Sequence, residues 1–362
     1  MLQDSTWRGA LNAMPFYAKL KGETGETRKR TTDGLLDLRR QLADQVPART
    51  TSETLLLATW NIREFDSPKY GDRSTESLYF IAEVLDHFDL IAVQEVRSNL
   101  AALQKVLGIL GKWWDKIYTD VTYGRAGNDE RLAILYDKRK VNFIGLAGEI
   151  VLPEVKGEPV RQLARSPFIC GFQCGWIKFN LCTVHTYYGS ANPNEPRRIK
   201  EIDDLAGMLE KGSAGDAGNT ILLGDFNIFK RTDKTFEALA RHGFKVPAAL
   251  TKLPTGSNIK QDKEYDQIAF LERKQRFTVS NAGIFNFYKS VFKDDEEEKW
   301  QPVMGSGYEK AKNKSRYYKD WRTYQMSDHL PMWVELWINH SDSYLKYLRG
   351  LKSSTAVGIA DQ

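Results

Sequence analysis

Two short motifs concentrate residues able to do chemistry on a phosphate: Gly224-Asp225-Phe226-Asn227 and Ser327-Asp328-His329-Leu330-Pro331. Each adjoins an apolar run that reads as a buried strand, Thr220 to Leu223 before the first and Met332 to Ile338 after the second. Similar runs end near Asn61, Glu95, His185 and Asp266, so acidic, amide and imidazole groups from distant parts of the chain are expected along one rim. A hard cation such as Mg²⁺ takes oxygen ligands, which Glu95, Asp328 and the Asn61 amide offer. Hydrolysis of a phosphate ester needs such an ion to offset developing charge, a base for the water and an acid for the departing oxygen. His185 and His329 can fill both proton roles near neutral pH if each is oriented by a carboxylate; His87, His242 and His340 lack that setting.

The elements that must carry these groups follow from hydrophobic pattern. Leu55 to Trp60 and Asp89 to Val93 are continuous apolar runs, as expected of strands covered on both faces. Between them Ser74 and Thr75 can cap a helix whose Leu78, Ile81, Ala82 and Leu85 share one side. Another helix is expected from Asn99, then strands over Arg131 to Tyr136, Val141 to Leu146, Phe168 to Cys174, Trp176 to His185 and Tyr265 to Phe270. Helices are expected across Arg197 to Leu209 and near Thr235 to Arg241. Strands outnumber helices, so simple βαβ alternation does not fit, and strand ends from distant segments point to one domain with a shared active rim.

Residues 1–50 read as a partly helical extension, 51–340 as the catalytic domain and 341–362 as a tail. Within the domain, near 285–326, cations and aromatics interleave from Lys310 to Arg322. That mixture can bind phosphates and stack on bases, and it reads as an insertion facing the substrate.

The 362 residues are 41% hydrophobic and 12% aromatic, which excludes a disordered chain. A net charge of +5, from 52 basic and 47 acidic side chains, is too mild to indicate a polyanion partner by itself. The first residues lack a basic start followed by an apolar core, and no apolar run is long enough to span a bilayer. A cytoplasmic location is expected. Cys170, Cys174 and Cys182 lie in one apolar stretch and read as buried core residues without chemistry.

The ordered set of segments resembles the endonuclease/exonuclease/phosphatase superfamily, and within it deoxyribonuclease I. The resemblance runs from about Thr54 to Ile338. It rests on Trp60-Asn61-Ile62-Arg63, Gln94-Glu95-Val96-Arg97, Asp129-Glu130-Arg131, Arg165-Ser166-Pro167, Val184-His185-Thr186, Gly224-Asp225-Phe226-Asn227, Tyr265-Asp266-Gln267-Ile268 and Ser327-Asp328-His329. It implies an α/β fold, a four-layer sandwich of two packed, mostly antiparallel sheets flanked by helices. It also implies a metal-dependent endonuclease that cuts DNA by water attack, leaving 5′-phosphate and 3′-hydroxyl ends.

Carried over residue by residue, the resemblance makes Glu95 a ligand of Mg²⁺ (or Mn²⁺) with Asn61 nearby and Asp328 completing the charged cluster. His329 becomes the base, oriented by Asp266 or a nearby carboxylate, and His185 the acid, oriented by Glu130. Asp225 and Asn227 hold metal or phosphate, and Arg63, Arg97 and Arg165 are directed at DNA, expected to be double-stranded. Two departures stand out: Lys230 and Lys263 replace the cysteines of a family disulfide, and Asn128 replaces a groove-inserting tyrosine. A phosphatase or phospholipid phosphodiesterase of the same superfamily, and a non-catalytic nucleic-acid-binding module, are the alternatives.

Overall fold

The computed structural model describes residues 15–67, 69, 71–123, 128–153, 162–212, 218–273 and 276–350. Residues 1–14 of the expected extension and 351–362 of the expected tail lie outside them. In chain order the elements begin with helix α1 (Gly25–Gln45), β1 (Thr54–Phe65), α2 (Thr75–Asp86), β2 (Leu90–Arg97) and α3 (Ala101–Leu110). Strands β3 (Trp114–Tyr118), β4 (Glu130–Asp137), β5 (Asn142–Glu149), β6 (Phe168–Cys174) and β7 (Ile177–His185) follow. Next come α4 (Pro196–Gly212), β8 (Asn219–Asp225), α5 (Lys234–Arg241), α6 (Ala248–Thr251), β9 (Asp266–Leu271) and β10 (Val279–Ile284). The last elements are α7 (Glu297–Glu309), α8 (Lys314–Gln325), β11 (Met332–Trp337) and α9 (Ser341–Leu348).

The strands form a six-stranded sheet in the order β10-β11-β1-β2-β4-β3 and a five-stranded sheet in the order β5-β6-β7-β8-β9. Side chains alternate across a strand, so each sheet serves two cores. In β1, Leu55 and Leu57 point into the core between the sheets, while Leu56, Ala58, Trp60 and Ile62 join a second core beneath the helices packed on that sheet. In β8, Ile221 and Leu223 face the other sheet and Leu222 meets Ile202, Leu205 and Leu239 of α4 and α5. Double-sided burial explains why these strands read as unbroken apolar runs. The outcome is the expected four-layer α/β sandwich.

The topology also gathers the polar strand ends on one edge. Strands β1 and β2 pair in parallel, as do β7 and β8, and α2 and α4 provide the crossovers that parallel pairing requires. Asn61, Glu95, His185 and Asp225 therefore leave their sheets at the same end. Strands β4 and β9 run antiparallel to β2 and β8, with Glu130 opposite Arg97 and Asp266 opposite Asp225, so their first residues meet that edge. The segment entering β11, which pairs antiparallel with β1 up to Thr59 and Met332, delivers His329 to it as well.

Two segments pack where their helical patterns place them. The N-terminal segment contributes a helix whose Leu35, Leu38 and Leu42 are buried in the same core as α2, so residues 25–45 pack as part of the main body. The Lys310 to Arg322 segment is not a run of base-stacking rings: within α8, Tyr318 and Trp321 are buried against Phe292 and Trp300. Helical periodicity puts these aromatics inside and leaves Lys314, Arg316 and Lys319 outside.

Candidate active site

At the shared edge the two histidines are each fixed through Nδ1. His185 Nδ1 lies 2.9 Å from Glu130 Oε2, and His329 Nδ1 lies 2.9 Å from Asp266 Oδ2. This pairing sets which nitrogen faces the opening, as a carboxylate partner does for an imidazole generally. Both Nε2 atoms then converge on one oxygen, Asp225 Oδ2, at 3.6 Å from His185 and 3.7 Å from His329. The same oxygen accepts a hydrogen bond from Asn61 Nδ2 at 3.0 Å, and Asn61 Nδ2 also donates to Glu95 Oε1 at 2.9 Å. Asn227 closes the set: its backbone N–H donates to Asp225 Oδ1 and its Nδ2 donates to Thr186 O.

Asn61, Glu95, Glu130, His185, Asp225, Asn227, Asp266 and His329 are thus brought into one connected network. Asp328 sits at its margin, with Arg63 Nε 3.7 Å away. Asn61 differs in detail from its expected place, because β1 continues beyond it to Phe65 while the pairing with β2 slips between Asn61 and Phe65. The slip coincides with left-handed backbone at Glu64 and Glu95, and Asn227 has the same sign of φ. Non-glycine residues held there cost energy and persist where surrounding contacts over-determine them. For Glu95 one such contact is Glu64 N–H, which donates to its Oε2 at 2.7 Å.

Electrostatics separates the two pairs. Burial by itself would raise the Glu130 pKa, yet His185 and the Arg165 guanidinium pull it down to about 2, so it is a carboxylate at any working pH. For His329, burial opposes the charged ring, but Asp266, Asp225 and Asp328 outweigh it and raise its pKa well above the ordinary histidine value. Glu95 is raised, by burial first and by the nearby Glu130 charge second. A cation placed against Glu95 would relieve that cost. Asn61 Oδ1 is buried without a hydrogen-bond partner, and so is Asp266 Oδ1. An orphaned amide oxygen beside a carboxylate suits a hard divalent ion, and Glu95, Glu130 and His185 form one of the groups whose ligand atoms could hold a metal.

The three arginines are held rather than loose. Arg165 donates from Nε to Glu130 Oε2 at 2.7 Å and from Nη2 to Oε1 at 3.3 Å. Arg97 pairs with Glu64 at 3.2 Å and donates to Asn128 O. Arg63, with 28% of its side chain exposed, lies 4.2 Å over the Tyr324 ring and donates to Thr323.

Positioning residues absent from the sequence reading come from outside the motifs. Ser257 donates to Asp266 Oδ2 at 2.6 Å. Buried Arg73 donates to the carbonyls of Arg63, Gln325 and Met326, tying β1 to the loop before His329. Glu201 on α4 accepts from the backbone of Ala164 and Tyr187, which flank Arg165 and His185. A lone serine, arginine or glutamate carries no local signal of such a role. Ser327 did carry one, standing inside a motif, and its hydroxyl bonds Asn61 O while accepting from the backbone of Arg63 and His329.

The sequence profile of the Endonuclease/Exonuclease/phosphatase family matches residues 58–275. The chain belongs to this family. Its members hydrolyse phosphate esters as phosphodiesterases or phosphatases. A curated deoxyribonuclease of Thioalkalivibrio sp. (strain K90mix) is 27% identical over 180 residues, which is 48% of this chain and 46% of that protein. The match thus spans just under half the length of that relative. Among solved structures, a family protein of Bacteroides thetaiotaomicron superposes with a TM-score of 0.53 at 19% identity, covering 79% of this chain and 98% of that one. The human Nocturnin catalytic domain with bound sulfate gives 0.51 at 14%, covering 78% and 93%. At these identities the likeness is one of fold.

Proposed function

We propose that this chain is a metal-dependent endonuclease that hydrolyses DNA phosphodiester bonds and leaves 5′-phosphate and 3′-hydroxyl ends. One observation carries the reading: two imidazoles, each oriented by its own carboxylate at 2.9 Å, bring their Nε2 atoms to 3.6 and 3.7 Å from the same Asp225 oxygen. An acid and a base that act on one phosphorus centre must both reach it, and this convergence lets them. The relative named a deoxyribonuclease supports DNA as the substrate, and the buried unpaired cysteines suit a reducing cytoplasm.

In this reading Glu95, the Asn61 Oδ1 atom and Asp328 would hold Mg²⁺ or Mn²⁺. Such an ion supplies charge stabilisation for the phosphate oxygens when bound. His329, aligned by Asp266, takes a proton from the attacking water at Nε2. His185, aligned by Glu130, gives a proton from Nε2 to the departing 3′ oxygen. Asp225 and Asn227 hold the two imidazoles and the phosphate in register. Arg63 and Arg97 supply cations for flanking phosphates, and Arg165 acts on Glu130. The raised pKa of His329 favours a second reading in which the proton roles are exchanged.

Supercoiled plasmid is the direct substrate for the test. Nicking that requires Mg²⁺ or Mn²⁺ and stops with EDTA fits the proposal. Release of phosphate from small monoesters without nicking would instead support a phosphatase.

A further inference from the structure

Beside His329 runs a row of aromatic rings that the proposed hydrolysis does not use. Tyr265 stacks on the His329 ring with centroids 5.5 Å apart and an interplanar angle of 30°. Phe229 meets Tyr265 edge-on at 5.4 Å, and Tyr188 stacks on Phe229 at 6.3 Å. Chain connectivity roots the row in the site, because Tyr188 lies three residues after His185 and Phe229 two residues after Asn227. Phe229 is buried, whereas Tyr188 keeps 42% of its surface exposed.

A single exposed tyrosine is ordinary on a protein surface. This one is anchored by a fully buried cation. Arg198 of α4, with no exposed surface, donates to Tyr188 O at 2.6 Å and to Asn192 O, and its guanidinium lies 5.1 Å from the Phe229 ring centroid. Burying an arginine is costly, and although Arg198 Nε finds no partner, its two Nη groups donate to the Tyr188 and Asn192 carbonyls and hold that loop in place. Lys263 stands over Phe229 at 4.9 Å, adding a cation beside the row. A half-exposed aromatic side chain with flanking cations, one ring row from His329, matches what single-stranded nucleic-acid sites use.

We infer that Tyr188 is the stacking platform for an unpaired nucleobase next to the scissile phosphate, giving the site a preference for single-stranded or frayed DNA. The inference rests on the nuclease reading for its substrate class. A paired and stacked base could not present its face to Tyr188, so the preference follows from the geometry.

The test uses the whole protein in EDTA with a short single-stranded DNA carrying 2-aminopurine, so that binding is read without cleavage. Wild-type protein is expected to quench the fluorescence. Tyr188→Trp should keep the affinity, and Tyr188→Leu, which retains bulk but no ring face, should weaken it by about tenfold. An oligonucleotide with abasic sites at every position should bind the wild type as weakly as the normal strand binds the leucine variant. Circular dichroism confirms folding, and Tyr188→Ser replaces the leucine variant if that one misfolds. Equal affinity of wild type and ring-less variant, in a protein that nicks plasmid, would overturn the platform alone. Wild-type protein that cleaves no phosphodiester would overturn the nuclease reading, which a separate plasmid assay detects.

Discussion

Asp225 sits between two imidazoles, and its Oδ2 faces both at nearly equal distance. In the proposed hydrolysis, which ring gives and which takes a proton is decided by the partners behind them. A base must be neutral to act, and the carboxylates around His329 favour its protonated form. With His329 as the proposed base, the rate should rise as pH climbs through a His329 pKa above the usual 6.5. We expect the ascending limb of kcat/KM against pH to lie above that value; a plateau already reached below it would assign the limb to another group. A substrate with sulfur in place of the bridging 3′ oxygen needs no acid, so it should rescue His185→Ala and leave His329→Ala inactive. Rescue of His329→Ala instead would exchange the roles.

Glu130, held near 2 against an ordinary 4.5, contributes stability that is full above about 4.5 and lost as pH falls toward 2. Glu130→Gln should flatten acid unfolding over that window, measured by circular dichroism. Arg165→Ala should lower kcat by about tenfold or more with little change in KM, since its guanidinium grips Glu130, whereas Arg63→Ala should mainly raise KM. The residues that meet at the shared edge were legible because motif spacing marks strand ends. Ser257, Arg73 and Glu201 were not, because their roles arise only when separate elements meet.

At the scale of elements, strands buried on both sides announced themselves as apolar runs, and Ser74 capped α2 as read, accepting from Ser77 N–H. Edge strand β10, Val-Ser-Asn-Ala-Gly-Ile, has no such run and was missed. So was α7, which contains Pro302 and left-handed Gly305. In α8 the period decides: the aromatics interleaved with cations in sequence include the buried face of a helix, Tyr318 and Trp321. Its outer face still carries Lys314, Arg316 and Lys319, and its last turns contact Arg63 and Lys69 through Thr323 and Tyr324. If DNA runs along that face, replacing the three cations by alanine should weaken binding and reduce the salt slope by about one unit for each lost phosphate contact. An unchanged slope in a salt titration would place the DNA elsewhere.

The whole molecule is a frame that brings two parallel strand pairs, one in each sheet, to a common edge. Helix α1 belongs to that frame, because Leu38 is fully buried among α2 and the strands below it. Leu38→Ala should cost about 2–5 kcal/mol in chemical denaturation; a change within error would make residues 25–45 a dispensable cover. The fold class was legible from pattern and motif order, as was a helix before residue 50, whereas the place where it docks arises only when its narrow apolar stripe meets the core. The central claim, an acid and a base acting on one phosphate, is tested most directly by plasmid nicking. Wild-type protein with Mg²⁺ should convert supercoiled DNA to the nicked form with 5′-phosphate ends, and folded His185→Ala and His329→Ala should each fall by at least about a hundredfold. Full activity in either variant would contradict the account.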